Sequence, residues 1–256
     1  MDLGLTGKKV LVTGASRGIG YTISEHFLQE NADVLLVARN KALLSKTEKV
    51  LNKKFGEKRT WSKSCDCTDP DCLKILKESI EIKWGSLDIV VANVGDGRSV
   101  SDPIPSMPRW KNTWDVNFET ALQTARTFLP MLQESYGCLL FISSITAAEA
   151  IGAPVDYSTA KAAVTAFSKN LARKVADKVR VNVVAPGNVY FPGSSWDEKI
   201  HQNPEKIEKM ITSIPMKRFG APKEIADAVV FLCSDRASFI TGSVLIVDGG
   251  QTVGVY

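Results

Sequence analysis

The chain has 256 residues, of which 44% are hydrophobic and 23% are charged, and its net charge is +4. This composition is typical of a soluble globular protein and argues against extended disorder and against a nucleic-acid binder, because the lysine-rich stretches also contain acids. No apolar run approaches the roughly 20 residues that cross a bilayer, and the first residues lack the blocks of a signal peptide. We therefore expect a cytoplasmic protein with no membrane or nucleic-acid partner.

Short apolar runs alternate with longer amphipathic stretches along the chain. Runs that are apolar at successive positions are typical of strands covered on both faces, and helices between them predict right-handed crossovers into a parallel sheet. Strands are predicted at residues 9–12, 34–37, 59–66, 88–91, 138–142, 179–184 and 244–247. Helices are predicted at residues 18–30, 41–55, 71–84, 107–133, 155–175 and 222–233. We expect an α/β fold, a doubly wound parallel sheet of the Rossmann-like kind, in a single domain over residues 1–256.

The main irregular stretch runs from residue 188 to residue 217, where Pro192, Gly193 and Pro204 interrupt the pattern. In doubly wound folds, a segment of this kind after the carboxyl end of a strand is a common place for a binding lid. We predict a substrate lid at about residues 188–217. The aromatic residues in this stretch, Tyr190, Phe191 and Trp196, indicate either an apolar or ring-containing substrate or aromatic packing within the closed lid.

The cysteine pattern indicates thiols rather than disulfides or a metal site. Five cysteines are an odd number in a chain that is large enough to fold without cross-links. Cys65, Cys67 and Cys72 are close in sequence, but no fourth cysteine or nearby histidine completes a tetrahedral set. We expect no metal.

A glycine-punctuated turn, Thr-Gly-Ala-Ser-Arg-Gly-Ile-Gly at residues 13–20, follows the first predicted strand and opens the first predicted helix. Glycines in this context allow a tight turn and a close backbone approach to a pyrophosphate, which the N–H groups of the helix N-terminus can bind. The turn therefore predicts dinucleotide binding. The residues expected to contact the cofactor are Gly14, Ser16, Arg17, Gly18, Ile19 and Gly20.

Two arginines bear on the choice of dinucleotide. An acid at the end of the second strand would bind the ribose diol of NAD, whereas a basic residue favours the 2′-phosphate of NADP. This chain has Arg39 there, and the glycine turn carries Arg17. Both cations can converge on a phosphate, which predicts NADP(H). The alternative is that both are surface arginines and that the site accepts NAD(H).

A tyrosine and a lysine four residues apart, Tyr157 and Lys161, fall within the helix predicted at residues 155–175. At this spacing they lie on one helix face, so the ammonium can hold the phenol ready to exchange its proton with a substrate oxygen. Ser144 lies 13 residues before Tyr157, at the end of a predicted strand. Singly, each residue could have only a structural role. Together with the glycine turn, the three predict a proton-transfer site.

In these motifs the chain resembles the short-chain dehydrogenase/reductase family, in its subgroup of about this length, and the resemblance covers nearly the whole sequence. The matching residues are the turn at 13–20, Asp66, Asn93 and Gly95 after the fourth strand, Asn117, the set Ser144, Tyr157 and Lys161, the pair Pro186-Gly187, and the C-terminal stretch 240–250.

The resemblance implies an enzyme that transfers hydride between NAD(P) and a carbonyl or secondary alcohol substrate, with Tyr157 as general acid/base. It implies that Ser144 donates a hydrogen bond to the developing alkoxide. Lys161 and the positive nicotinamide of the oxidised cofactor are expected to lower the pKa of Tyr157, and the resemblance implies that Lys161 binds the nicotinamide ribose. By the same resemblance, Asn117 holds a water that links Lys161 to solvent, and Asp66 contacts adenine.

Two departures from the family pattern concern the nicotinamide end. The sequence Ala92-Asn93-Val94-Gly95 lacks the first asparagine and the alanine of the family motif but keeps the glycine. After Pro186-Gly187, the turn that the resemblance places beside the nicotinamide, Tyr190-Phe191 stands where relatives usually carry threonine. We therefore expect the cofactor amide to be held by backbone groups such as those of Val189.

The helices at residues 107–133 and 155–175 carry apolar residues on more than one face, including Phe118, Leu122 and Phe167. Such faces often pair across a two-fold axis, and the resemblance implies a homotetramer or a homodimer. Three alternative functions remain open: an NAD(H)-dependent dehydrogenase of a sugar or polyol, a sugar-nucleotide epimerase or dehydratase, and a non-enzymatic redox-sensing dinucleotide binder. The sequence leaves the substrate and the reaction direction undetermined.

Overall fold

The computed structural model describes residues 2–56, 58–98, 100 and 102–255. Within these residues, seven parallel strands form one sheet in the order β3-β2-β1-β4-β5-β6-β7. Numbered along the chain, the strands are β1 Lys9–Thr13, β2 Asp33–Ala38, β3 Thr60–Ser64, β4 Ile89–Ala92, β5 Cys138–Ile142, β6 Arg180–Pro186 and β7 Val244–Val247.

Helices connect these strands and cover both faces of the sheet. In the described part of the chain they are α1 Gly18–Gln29, α2 Lys41–Phe55, α3 Pro70–Trp84, α4 Met107–Trp114, α5 Thr120–Ser135, α6 Val155–Val175, α7 Ser195–Gln202, α8 Pro204–Ser213 and α9 Pro222–Cys233. Among the residues described, no helix combines the length and the apolar character needed to cross a membrane.

The strand order reverses at β1, which pairs with β2 on one side and with β4 on the other. In an open parallel sheet, this reversal leaves a crevice outside the carboxyl ends of the strands, where ligands bind. The predicted doubly wound α/β fold is therefore confirmed. The reversal predicts a ligand site at the carboxyl ends of the strands beside β1.

The alternation of side chains along the strands produces a separate core on each face of the sheet. On β1, Val10 and Val12 belong to one buried cluster, and Leu11 belongs to the other. The first cluster includes residues of α1 and α9, and the second includes residues of α3, α5 and α6. Because both faces are covered, the strands are apolar at successive positions, which is the pattern from which they were predicted.

The prediction of a single helix at residues 107–133 is wrong in the middle of this range. A π-helical segment, Asp115–Glu119, separates α4 from α5, and α5 continues to Ser135. The wider π turn places Asn117 in the interior, where its side chain bonds to backbone groups of a neighbouring loop. An apolar periodicity does not distinguish a π turn from an α turn, so the sequence pattern could not show this interruption.

The stretch expected to be irregular, residues 188–217, instead contains α7 and α8. Pro204 occupies the first turn of α8, and the side chain of Asn203 accepts a hydrogen bond from the Lys206 amide at 3.1 Å. Proline in a first turn favours a helix start, because its missing N–H would be unpaired there anyway. Pro204, which is predicted from the sequence to interrupt the helical pattern, is therefore part of a helix N-terminus.

Candidate active site

A cleft of about 1430 Å³ lies at the carboxyl ends of β1, β4, β5 and β6. It brings together predicted residues that are far apart in sequence. The predicted residues lining it are Gly14, Ser16, Arg17, Ile19, Gly20, Arg39, Asp66, Asn93, Gly95, Ser144, Tyr157, Lys161, Pro186, Gly187 and Val189. Two other predicted residues, Gly18 and Asn117, lie beside the cleft rather than in its lining.

The glycine turn has the geometry of an anion site at a helix N-terminus. Gly14 and Gly18 have φ angles of +66° and +57°, which favour glycine. A Cβ at Gly20 would collide with the Gly14 carbonyl oxygen, so α1 packs directly on the turn. The residue at the N-cap of α1, Arg17, makes no side-chain capping hydrogen bond. The first amides of α1 are therefore available to an anion such as a pyrophosphate.

Asn93 fastens the ends of β1 and β4 together. Its amide nitrogen Nδ2 donates to the Thr13 carbonyl at 2.9 Å, and its backbone N–H donates to Thr13 Oγ1 at 3.0 Å. These bonds fix the position of the glycine turn relative to the loop that follows β4. The side-chain amide of Asn93 thus shapes the cofactor end of the cleft from within the protein.

Beyond the carboxyl ends of β2 and β3, Arg39 and Asp66 face each other. Arg39 Nη1 lies 3.9 Å from Asp66 Oδ2, and both side chains are exposed. Burial opposes the ionisation of Asp66, but hydrogen bonds from Thr68 and the charge of Arg39 lower its pKa overall. Asp66 is therefore an anion that partly compensates the charge of Arg39, and both side chains point to the same part of the cleft.

The segment after β6 lies directly on the glycine turn. The Phe191 ring occupies the position that a Cβ of Gly18 would take, and Arg17 Nη1 donates to the Gly193 carbonyl at 3.2 Å. Asp197 braces this segment, because it accepts hydrogen bonds from the Tyr190 hydroxyl at 3.0 Å and from the Gly193 amide at 2.9 Å.

The aromatic side chains of residues 188–217 mainly pack within the protein. Trp196 lies 5.2 Å from Phe219 between ring centroids, Tyr190 bonds to Asp197, and Phe191 covers Gly18. Trp196 and Phe191 also line the cleft. The observed contacts favour the packing interpretation of these rings.

Ser144, Tyr157 and Lys161 converge where β5 ends and α6 begins. Ser144 caps a short 3₁₀ turn, and its Oγ accepts a hydrogen bond from the Thr146 amide at 3.2 Å. The Lys161 side chain is buried, and its Nζ donates to the Ile142 carbonyl at 3.0 Å. The same Nζ lies 5.8 Å from the centroid of the Tyr157 ring. The three groups that the sequence predicted to act together are therefore close in space.

Burial governs the electrostatics of this trio. Burial raises the pKa of Tyr157, a hydrogen bond with Ser144 opposes this effect, and the carboxylate of Asp96 adds to the increase. The expected lowering of this pKa involves Lys161 together with the positive nicotinamide of an oxidised cofactor, whereas the chain's own groups together raise it. Burial also lowers the pKa of Lys161 to about 8, so its amine is mostly protonated at pH 7.

Asn117 acts on the loop after β4 through its side chain. Its Oδ1 accepts from the Asp96 amide at 3.0 Å, and its Nδ2 donates to the carbonyls of Asp96 and Thr113 at 3.1 and 3.0 Å. These bonds engage both side-chain atoms with backbone groups. A Cβ at Gly95 would lie 2.9 Å from Lys161 Nζ and 3.0 Å from Asn117 Oδ1, so this glycine makes room for both residues.

Val189 and its neighbours form a single parallel bridge to Gly220. The Tyr190 amide donates to the Gly220 carbonyl at 3.0 Å, and the Gly220 amide donates to the Asn188 carbonyl at 2.9 Å. In a parallel bridge of this kind, the amide and carbonyl of the central residue point the other way. The backbone groups of Val189 are thus turned away from Gly220, and Val189 lines the cleft.

Several residues of the cleft wall were missed by sequence reasoning. Gln251 Oε1 accepts a hydrogen bond from the Asn188 amide at 2.7 Å, and the carboxylate of Glu149 accepts from the amides of Val253 and Gly254 at 2.8 and 2.6 Å. These contacts fix the C-terminal segment against the site. They join positions 63 to 105 residues apart in the chain, so no local sequence pattern predicts them.

Two of the clustered cysteines, Cys65 and Cys67, line the cleft beside Asp66. A hydrogen bond with Cys67 and burial raise the pKa of Cys65, and burial chiefly raises the pKa of Cys72 to about 11. Such thiols remain protonated at neutral pH and are poor metal ligands. In the part of the chain that the structure describes, no group of three or more His, Cys, Asp or Glu side chains is arranged to hold a metal ion.

Comparison with known proteins gives consistent matches over the whole chain. A family model described as enoyl-(acyl carrier protein) reductase matches residues 14–252. The 3-oxoacyl-[acyl-carrier-protein] reductase of Aquifex aeolicus is 32% identical, over 98% of this chain and 100% of the relative. Glucose 1-dehydrogenase 2 of Bacillus subtilis is 33% identical, over 97% of this chain and 96% of the relative.

The fold is also similar to that of solved enzymes. L-sorbose reductase from Gluconobacter frateurii, solved in complex with NADPH and L-sorbose, superimposes with a TM-score of 0.92. It is 33% identical, and the match covers 100% of both chains. The aldohexose dehydrogenase of Thermoplasma acidophilum gives a TM-score of 0.85 at 30% identity, over 98% of this chain and 97% of the other.

The burial of Lys161 predicts a stabilising substitution. We expect Lys161→Met to increase the free energy of unfolding at pH 7 by about 1 to 2 kcal/mol. The depressed pKa of about 8 means that the charged ammonium destabilises the native state, and the lost hydrogen bond to Ile142 offsets only part of this gain. Between about pH 8 and 10.5 the unfolded state binds more protons, so the parent gains stability as pH rises.

Urea unfolding of the parent and of Lys161→Met at pH 7 and pH 9.5 measures this effect, with exposed Lys174→Met on the same helix as the control. The advantage of Lys161→Met is expected to shrink at pH 9.5. A variant that is less stable than the parent at pH 7, or an advantage that is equal at both pH values, would contradict the prediction.

Proposed function

The chain belongs to the short-chain dehydrogenase/reductase family, and on that premise we propose that it is an NADP(H)-dependent oxidoreductase that uses Tyr157 as general acid/base. Family membership confirms the sequence resemblance and identifies an enzyme that acts on C=O or CH–OH groups with a nicotinamide cofactor. The observation that carries the more specific proposal is the convergence of Ser144, Tyr157 and Lys161 in the cleft that also contains the glycine turn.

The proposed reaction follows from how charge develops at the substrate oxygen. A nicotinamide cofactor held by the glycine turn and Lys161 would supply the hydride for the carbonyl carbon, and the negative charge would then develop on the substrate oxygen. The Tyr157 hydroxyl gives its proton to this oxygen, while the Ser144 hydroxyl donates a hydrogen bond to the same atom. The proposed roles of the buried Lys161 ammonium are to bind the nicotinamide ribose and to return a proton toward Tyr157. In the oxidative direction each proton step reverses.

The raised pKa of Tyr157 suits the reductive direction. A phenol whose pKa lies above its ordinary value of about 10 keeps its proton at neutral pH and can act as an acid. Oxidation needs the phenolate, which the chain's own groups disfavour. The positive charge of an oxidised nicotinamide beside the phenol would lower this pKa and allow the reverse step.

A small polar carbonyl compound is the substrate class that we propose. Polar side chains line the cleft around Tyr157, including Asp96, Arg98, Thr146 and Gln251. Asp96 is close enough to influence the pKa of Tyr157. Such groups can form hydrogen bonds with substrate hydroxyls, which a purely apolar chain cannot use. The similarity to L-sorbose reductase and aldohexose dehydrogenase supports this class.

The proposed role of Tyr157 is tested by Tyr157→Phe. Loss of the hydroxyl is expected to reduce turnover by at least roughly 100-fold, since positioned acid–base groups contribute at least this much, while the affinity for NADPH stays within about twofold. NADPH absorbance is monitored with a panel of ketoses, aldoses, 3-oxoacyl thioesters, simple ketones and secondary alcohols. Tyr136→Phe, an exposed tyrosine at the end of α5, serves as the control.

Turnover of Tyr157→Phe within a few-fold of the parent would refute the general acid/base assignment. The panel also separates the alternatives. Preference for NADH with sugars or polyols would support the dehydrogenase alternative, and NADPH binding without turnover of any compound would favour the redox-sensing alternative.

The preference for NADP(H) is supported by Arg17 and Arg39, which both line the cleft, and by the similarity to an enzyme solved with NADPH. We expect Arg39→Met to weaken NADPH binding by roughly 10- to 100-fold, because a charge-assisted hydrogen bond contributes about 1.5 to 3 kcal/mol. NADH binding is expected to change less than twofold. Fluorescence titration with both reduced cofactors measures this, and Arg173→Met, exposed on α6, is the control. An equal loss for both cofactors would argue against recognition of the 2′-phosphate.

Residues 188–217 are proposed to form a lid that also covers the phosphate end of the cleft. The Phe191 ring occupies the space that a side chain at Gly18 would fill. A glycine in this kind of turn allows the backbone to approach the pyrophosphate closely. The lid must therefore move its ring aside, or rotate it, when a dinucleotide enters.

Phe191→Ala tests this lid. We expect stopped-flow measurements to show NADPH associating about three- to tenfold faster, because the smaller side chain leaves the approach to Gly18 open. Phe239→Ala, which removes a fully exposed ring away from the cleft, is the matched control. An association rate equal to or below that of the parent would show that Phe191 does not restrict entry.

We also infer a homo-oligomer, a tetramer or a dimer, in the cytoplasm. Phe118 and Phe167 pack against each other at 6.1 Å between ring centroids but remain only partly buried, so part of their apolar surface is available to a second copy. All five cysteines are free thiols, which suits a reducing compartment.

A further inference from the structure

A buried carboxylate immediately precedes Tyr157. Asp156 lies in the first turn of α6 with its side chain 0% exposed. Its Oδ1 accepts a hydrogen bond from the Tyr157 amide at 2.9 Å. Its Oδ2 lies 3.7 Å from Arg109 Nε, and among the described residues neither of these two atoms has a hydrogen-bond partner. The two atoms therefore have only each other to compensate for their burial.

Arg109 also holds the loop that follows β4. From α4, its Nη2 donates to the Arg98 carbonyl at 2.7 Å. Arg98 in turn pairs with Asp96 through Nη1 at 2.7 Å, and Asn117 fixes the backbone of Asp96. A single guanidinium thus links the first turn of α6 to the loop at residues 96–98.

This loop packs against the phenol ring. A Cβ built on Gly97 would lie 3.5 Å from Tyr157 Cζ and 3.8 Å from its hydroxyl oxygen. The backbone of Gly97 therefore forms one wall beside the reacting hydroxyl, at ordinary contact distance. A shift of the loop would change both the space beside the phenol and the angle at which its hydroxyl faces the cleft.

We propose that Asp156 and Arg109 are positioning residues, which hold the loop at residues 96–98 against Tyr157 and so set the orientation of its hydroxyl toward the substrate oxygen. This inference rests on the proposed function of Tyr157. An acid in the first turn of a helix stabilises that helix even when it is exposed to solvent. That general effect explains neither the complete burial of Asp156 nor the contact of Arg109 with the Arg98 carbonyl.

Arg109→Met is the test, with Lys111→Met as the control, because Lys111 is on the same helix and forms an exposed ion pair with Asp115. The variants are assayed with NADPH and the best panel substrate, at a temperature where both are fully folded. We expect kcat of Arg109→Met to fall roughly 10- to 100-fold, as a misplaced reacting group does. The affinity for NADPH and the KM for the substrate are expected to change less than about threefold.

A purely structural role would lower the melting temperature and leave kcat of the folded enzyme unchanged. A kcat loss below fivefold, or an equal loss in NADPH affinity, overturns the inference. If Arg109→Met does not fold, Asp156→Asn replaces it, with the same thresholds, because asparagine keeps the acceptor for the Tyr157 amide and removes the charge. A parent enzyme that turns over no panel compound overturns the proposed function and this inference with it, whereas an active parent with unaffected variants overturns this inference alone.

Discussion

Close backbone approach at the carboxyl ends of β1 and β4 is the constraint on which the cleft depends. Gly20 has no room for a side chain against Gly14, and Asn93 ties the loop after β4 to Thr13 at the end of β1. Gly95 then leaves space for the Lys161 ammonium. Because each of these contacts involves the backbone of the turn or of the loop after β4, the glycine turn and Lys161 keep a fixed separation. The reversal of strand order provides the crevice, and the glycines make it deep enough for a dinucleotide.

The same close packing explains the unusual charge state of the site. Lys161 is buried with one carbonyl as its hydrogen-bond acceptor, so its charged form is disfavoured. Tyr157 is also held in its neutral form, by burial and by Asp96. At pH 7 a lysine with a pKa of about 8 is mostly protonated, so the site combines a buried cation with a neutral phenol. The burial of this charge costs stability, as the burial of charged groups generally does.

The sequence allowed prediction of the features that depend on local pattern. It did not allow prediction of the features that are determined by contacts between distant residues. Strands such as β5 were predicted because burial on both faces requires an unbroken apolar run, and the glycine turn because its residue types are set by backbone geometry. The π-helical segment around Asn117 is different, since its stability comes from bonds to Asp96. The same is true of Gln251, which contacts Asn188 across 63 residues. The hydrophobic periodicity of a sequence does not show such contacts between distant residues.

Contacts on both sides connect the segment at residues 188–217 to its neighbours. Gln251 holds the Asn188 amide on the side of the C-terminal segment, while Arg17 holds the Gly193 carbonyl on the side of the glycine turn. A guanidinium has further N–H groups beside Nη1, so in the proposed NADP(H) complex Arg17 would hold a 2′-phosphate and this carbonyl together. Cofactor recognition and the position of the proposed lid would therefore depend on the same side chain. Through this shared group, discrimination between the two dinucleotides would extend from affinity to the rate at which the proposed lid opens.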